Sequence, residues 1–255
     1  FQISYKVGFE DNGLINSVIV DQAMRCGMSW DLSEAIAARA MCHAENSYFI
    51  KNMRITSHRL KTNTQSNTAF RGFGGPQGIV GMERVIDHVA HHLNVDPLLV
   101  RERNFYPHKT SATHGITPYG QTVHDCIIQD IISELKKTSN YVDRQKDIER
   151  FNKNSEFLKR GISLTPVKFG ISFNASFLNQ AGALLHVYND GSVYLNHGGT
   201  EMGQGLNTKI AQIVANEFQL PLGTIKITAT STGKVPNTSA TAASSGSDLN
   251  GMAAK

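Results

Sequence analysis

The stretch YKVGFEDNGLINSVIVDQ, residues 5–22, decides the fold class. Two runs rich in β-branched and aromatic residues flank Asp11-Asn12-Gly13, and an Asn-Gly pair supplies the positive φ angles that a tight hairpin turn requires. The plan returns in GALLHVYNDGSVYLNHGG, residues 182–199, around Asn189-Asp190-Gly191. Two hairpins of one design predict two lobes, each opened by antiparallel strands, with residues 1–120 in the first and 121–255 in the second. Residues 107–121, which carry Pro107, Gly115, Pro118 and Gly120, are the best linker between them.

Helices fill the space between the hairpins. Residues 31–48, DLSEAIAARAMCHAENSY, open on an Asp or Ser cap and continue through strong helix formers. Ile79, Met82, Ile86, Val89 and Leu93 recur at 3-4-3-4 spacing, the stripe of an amphipathic helix. Asp96 and Pro97 mark a helix start in residues 95–106, one as cap and the other at the first helical position. Residues 124–138 and 206–218 are further helical segments, and 53–61 and 224–232 read as strands. Hairpins and helices without regular β-α alternation predict an α+β fold.

Composition narrows the function classes. A chain of 255 residues, 40% hydrophobic and 18% charged, can bury a sizeable core. Its formal net charge of +4 includes no basic block, so neither nucleic acid nor a membrane surface is indicated as partner. Cys26, Cys42 and Cys126 have no ligand or disulfide spacing, as a reducing cytoplasm allows. No apolar run approaches the roughly 20 residues needed to span a bilayer. The first residue is Phe1, inside an expected strand, which suggests a processed chain or a piece of a longer one.

Ten histidines raise the question of a metal. His88 and His92 have the i, i+4 spacing of a zinc pair, with His91 beside them. On a helical wheel all three fall opposite the Ile79/Met82/Ile86 stripe, which predicts a solvated face. His43, His58, His186 and His197 lack partners at ligand spacing and read as packing or surface residues.

The glycines of NTAFRGFGGPQG, residues 67–78, do not form a dinucleotide fingerprint, because Gln77 stands where G-x-G-x-x-G needs its last glycine. HGGTEMGQG, residues 197–205, lacks the Lys-Ser/Thr of a phosphate loop. Both nonetheless precede an expected helix, whose free N–H groups attract anionic or hydrogen-bond-accepting ligands. A third small-residue stretch, residues 231–251, also leads toward a helix start. Three such loops suit an extended, phosphate-bearing, heterocyclic cofactor approached closely by backbone. Three surface turns would look the same, and these residues alone do not choose.

A resemblance favours the cofactor. KTNTQSNTAFRGFGGPQG (61–78), KFGISFNASFLNQAGALLHVYNDGSVYLNHGGTEMGQGLNTK (168–209) and TSTGKVPNTSATAAS (230–244) together resemble the molybdenum-cofactor region of the xanthine dehydrogenase family of molybdenum hydroxylases. The resemblance implies two molybdopterin-binding lobes and a molybdenum ion held through the pterin, with no direct protein ligand. Phe70, Arg71, Gly72, Gln204, Ala242, Ala243 and Ser244 match cofactor-contacting positions. Phe73 matches the aromatic against the substrate ring, and Phe173 its counterpart across the pocket; core packing is the alternative for both. Arg39 matches the arginine that steadies negative charge developing on a purine, a role a fixed cation in a dry site can fill. Asn174 stands near the substrate where threonine is usual in the family.

The implied reaction hydroxylates hypoxanthine or xanthine at a carbon next to nitrogen, with water as oxygen source. Aldehyde oxidation, or hydroxylation of another N-heterocycle, is the alternative within the family, and Arg39 separates the two. The resemblance places the general-base glutamate beyond Lys255, and FAD and [2Fe–2S] clusters on other subunits or segments. It further implies an oligomer in the cytoplasm, and expects the 255 residues to be inactive alone.

Overall fold

The computed structural model describes residues 1–234 and 237–255; Val235 and Pro236, within the third small-residue stretch, lie outside the described residues. The chain divides into two compact units. The first comprises Phe1–Trp30, Ala40–Asn67 and Gly75–Phe169, and the second Asp31–Arg39, Thr68–Gly74 and Gly170–Lys255. These borders interleave along the sequence, whereas the hairpin pattern suggests one boundary near residue 120.

The first unit starts with the expected hairpin, β1 (Gln2–Phe9) paired antiparallel to β2 (Ile15–Gly27). Gly13 supplies the positive φ of the turn, at 88°. After α1 (Ser33–Cys42), β3 (Asn52–Lys61) lies parallel to β2, giving the order β1-β2-β3. The expected helix over 31–48 is cut short at Cys42, because tertiary bonds outweigh helix propensity in the buried turns that follow. Asn46 takes a left-handed φ of 49°, and its amide donates to the Glu83 carboxylate at 2.8 Å and the Pro166 carbonyl at 2.9 Å.

The 79–93 stripe becomes α2 (Gly75–Leu93), which buries Met82, Val85, Ile86 and Val89. They pack with Val18, Val20, Leu98 and Val100 in one core. Burying each such side chain contributes about 1.5–3 kcal/mol. α3 (Pro97–Asn104) begins as read: the Asp96 carboxylate accepts from the Leu98 N–H at 2.8 Å. Within this core Arg101, 2% exposed, donates to Glu83 at 2.8 Å and Asp87 at 2.9 Å. The Tyr48 hydroxyl completes the group on Glu83 at 2.6 Å.

The linker segment forms a two-residue ladder, β4 (Gly115–Ile116) with β5 (Thr122–Val123). α4 (Ile128–Thr138) follows, then α5 (Tyr141–Asn154), which sequence reading misses. Its residues YVDRQKDIERFNKN bury only Tyr141, so the apolar stripe that would announce it is absent.

The second unit repeats the plan in shorter form. β6 (Ala183–Val187) pairs antiparallel to β7 (Val193–His197), α6 (Leu206–Phe218) follows, and β8 (Ile225–Ile227) lies parallel to β7. The strand expected over 224–232 keeps only three residues, since Lys234 N–H turns back to the Ser231 carbonyl at 3.1 Å. Val193, Leu195, Leu206, Ile210 and Val214 form the core, and α7 (Gly246–Ala254) closes it through Ala254. The architecture is α+β, with mixed sheets and helices as the sequence pattern requires.

Candidate functional site

The NTAFRGFGGPQG loop makes its turn with three successive left-handed residues, Gly72 (φ 103°), Phe73 (54°) and Gly74 (98°). Its N–H-to-carbonyl closure is Phe73 to Phe70 at 2.8 Å. The glycines adopt these angles without a Cβ penalty, whereas Phe73 is strained by about 1–3 kcal/mol. Burial holds it there: the ring is 4% exposed and meets Phe173, 3% exposed, edge to face with centroids 5.3 Å apart. Phe173 is itself fixed, because the Asn179 side chain accepts from its N–H and donates to its carbonyl, both at 2.8 Å. The two rings expected across a pocket from each other are therefore in mutual contact. Asn174, next along, is exposed.

Arg39 is 3% exposed, on the last turn of α1. Its guanidinium donates to the carbonyls of Gly170 and Ser172, and to that of Ala243 at 3.0 Å. It thus ties the segment leading to Phe173 to the segment holding the small residues 242–244.

HGGTEMGQG differs from expectation in one respect. The Glu201 carboxylate already accepts from Gly203 at 2.9 Å, Gly205 at 3.0 Å and Asn207 at 3.1 Å, so the N-terminus of α6 holds an anion of its own. The Asn207 N–H is the largest influence drawing this carboxyl below the usual range, with Gly205 and Gly203 adding to it. Gln204 folds over the same loop: its oxygen accepts from Met202 N–H at 2.6 Å and its amide donates to the Thr200 carbonyl at 2.8 Å. His197, at the start of the loop, is 1% exposed; burial depresses its pKa, and its Nδ1 accepts from Gly199 at 3.1 Å.

In the third stretch, Ala243 (φ 54°) and Ser244 (φ 56°) are both left-handed. Ser245 braces the turn by donating through its hydroxyl to the Ala242 carbonyl at 2.9 Å. Thr200 N–H donates to the Thr241 hydroxyl at 2.9 Å, joining the second and third stretches.

These pieces meet around a cavity of about 410 Å³ within the second unit. Phe70, Arg71, Gly72, Phe73, Gln204, Ala242, Ala243 and Ser244 all line it. Of the residues singled out from the sequence, Arg39, Phe173 and Asn174 stand outside these walls. Sequence reading missed Ala69, Met202, Leu206, Lys209, Thr241, Gly246 and Ser247, which complete the lining. Lys209 was findable: it lies one turn past Leu206 at the start of α6, beside the glycine loop already suspected. Two cations, the first residues of α7 and several hydroxyls and amides make a surface for an anionic, hydrogen-bonding ligand. The size falls in the ordinary range for small-molecule sites. Residue types able to clasp an ion directly are not grouped there: among the described residues no three His, Cys, Asp or Glu are placed to hold a metal. His88, His91 and His92 are exposed on α2, as the wheel predicts.

Residues 1–105 and 134–255 each match a family described as molybdopterin cofactor-binding domain. Over 253 residues the chain is 47% identical to a xanthine dehydrogenase of Dictyostelium discoideum, covering 99% of this chain and 18% of that protein. It is 49% identical over 249 residues to a xanthine dehydrogenase/oxidase of Gallus gallus, with 98% and 18% covered. The chain therefore spans under a fifth of the length of these curated relatives. Its fold matches quinoline 2-oxidoreductase from Pseudomonas putida at TM-score 0.81 and 21% identity, over 98% of this chain and 33% of that one. An aldehyde oxidoreductase from Desulfovibrio desulfuricans aligns at TM-score 0.80 and 20% identity, over 98% and 27%.

Proposed function

We propose, since this chain belongs to the molybdopterin cofactor-binding region of the xanthine dehydrogenase family, that it holds the molybdenum–molybdopterin cofactor of an enzyme that hydroxylates a purine next to a ring nitrogen. The observation that carries this reading is the convergence of three separate sequence stretches on one cavity with two cations, Arg71 and Lys209, and a helix start at Gly246. A pterin with a phosphate tail suits those donors: the guanidinium and ammonium face its negative charge, and the small residues 242–244 leave backbone open to its ring system. When bound, that group supplies the two-electron oxidation by which a carbon gains an oxygen from water.

The chain's own residues bind and orient. Arg71, Gly72 and Phe70 approach the cofactor from one loop, and Gln204 and Ala242–Ser244 from two others. Phe73 and Phe173 offer their rings to the substrate, with contacts of about 0.5–1.5 kcal/mol each beyond area burial. Such contacts require the pair to open from its present edge-to-face arrangement. Asn174 contributes a hydrogen bond at the substrate's rim. Arg39 supports negative charge on a purine, and its burial is what gives the charge its strength. Iron–sulfur and flavin centres elsewhere in the full-length protein take the electrons onward. A cytoplasmic location belongs to the same reading: all three cysteines are free, and among the described residues no helix is long and apolar enough to cross a membrane.

Relatives at 47–49% identity carry the name xanthine dehydrogenase, which favours purines over aldehydes. In the full-length protein, Arg39→Ala should lower kcat/KM for xanthine by roughly a hundredfold or more, as loss of a charge-stabilising donor does, while aldehyde turnover falls far less. Equal losses on both substrates would count against a purine-specific role.

A further inference from the structure

Glu201 sits in the glycine-rich loop ahead of α6 with an exposed side chain, yet its carboxylate is fully committed to the backbone. Three N–H groups, of Gly203, Gly205 and Asn207, converge on its two oxygens at 2.9–3.1 Å. Free N–H groups at a helix start would otherwise recruit an anion from a ligand. Both glycines are left-handed, at φ 94° and 73°, and the carboxylate binds the N–H of each. Gln204, between them, is thereby aimed at its own loop, where it bonds Met202 and Thr200. Thr200 in turn bonds Thr241, which lines the cavity together with Gln204.

We propose that Glu201 is a positioning residue for the cofactor: an internal anion that folds the 200–207 loop in advance and closes the α6 start to the cofactor's phosphate. Two anions at one helix end repel, so the phosphate is left with Arg71, Lys209 and the start of α7. The loop's order then comes from the chain rather than from the ligand, which lowers the ordering cost of binding. This inference rests on the cofactor-binding function proposed above.

The test uses the full-length enzyme, wild type and with Glu201→Gln or Glu201→Ala. Molybdenum is measured by elemental analysis and pterin by fluorescence after oxidation, each per polypeptide, with melting curves alongside. Glu201→Ala is expected to retain about tenfold less cofactor, the scale seen when a supporting group behind a bound centre is removed. Purification in formate, a small carboxylate able to occupy the vacated N–H groups, should restore much of it. Glu201→Gln keeps an accepting oxygen but no charge and should fall between the two. Wild-type cofactor content in Glu201→Ala, or a loss that formate leaves untouched in a variant that melts normally, overturns the proposal. If Glu201→Ala does not fold, wild-type content in Glu201→Gln overturns the role of the charge. Wild-type enzyme lacking pterin would overturn the functional reading itself, a result distinct from any of these.

Discussion

The two sheets open on the same hairpin plan and differ in what is built around it. In the first unit the strands run 8, 13 and 10 residues, and a cluster of Glu83, Asp87 and the buried Arg101 and Tyr48 sits beside an aliphatic core. In the second the strands run 5, 5 and 3 residues, with α6 between the last two, and much of the rest of the unit is loop. Left-handed residues gather in those loops: Gly72, Phe73, Gly74, Ser172, Gly203, Gly205, Ala243 and Ser244. One copy of the plan is elaborated into scaffold and the other carries the cavity. Three non-glycine residues of the cavity wall, Phe73, Ala243 and Ser244, hold left-handed strain, while the first unit carries the longer ladders.

The strongest way to break the contrast is to remove the scaffold's central charge. Glu83→Ala leaves Arg101, 2% exposed, without its nearest carboxylate, and should destabilise the first unit by about 3–5 kcal/mol in denaturant unfolding. A cost below about 1 kcal/mol would mean that Asp87 alone satisfies the guanidinium.

A smaller effect is expected in the site. Gly72→Ala places a Cβ on a residue at φ 103° and should cost about 1–2 kcal/mol, with cofactor retention falling before global stability does. If melting and pterin content fell together, the loop would be part of the fold's foundation and the division between scaffold and site would blur.

The smallest and most diagnostic effect is in pH. Burial is the main cause holding the Glu45 carboxyl above its ordinary range, with the Lys168 ammonium opposing it. A carboxyl raised in the folded state adds stability below its unfolded pKa and loses it as pH rises through the folded value. In the second unit the signs reverse. His197 and Glu201 both titrate below their ordinary values, so their contributions are present at neutral pH and lost on acidification: His197 below about 6.5, Glu201 below the usual carboxylate range. Hydrogen exchange at pH 7 and pH 5 should show residues 193–214 losing protection while the chain around Glu45 keeps its own. Parallel loss in both regions would remove the distinction.

Much of this could be read in advance. Turn chemistry at Asp11-Asn12-Gly13 and Asn189-Asp190-Gly191 announced both hairpins, and periodicity announced α2, because such signals are local and each residue carries its part of them. The segment from Tyr141 to Asn154 shows the limit: a helix that buries one residue has no stripe to detect. The walls of the cavity were legible as three glycine- and alanine-rich stretches, since a backbone that must bend sharply or be approached closely excludes most other side chains.

What only the tertiary structure decided is how those stretches are used. Residues 68–74 belong by contact to a unit whose remainder lies mostly a hundred residues downstream, a fact no local pattern can encode. The helix start at α6, offered by the sequence to a ligand, is taken by Glu201, while Lys209, the last residue of the 168–209 block, supplies a cation whose role the sequence did not assign. Sequence by itself determined which segments could turn, coil or extend, because those are properties of a few neighbouring residues. Which N–H meets which carboxylate, and which ring meets which ring, depends on distances that exist only once the chain has closed on itself.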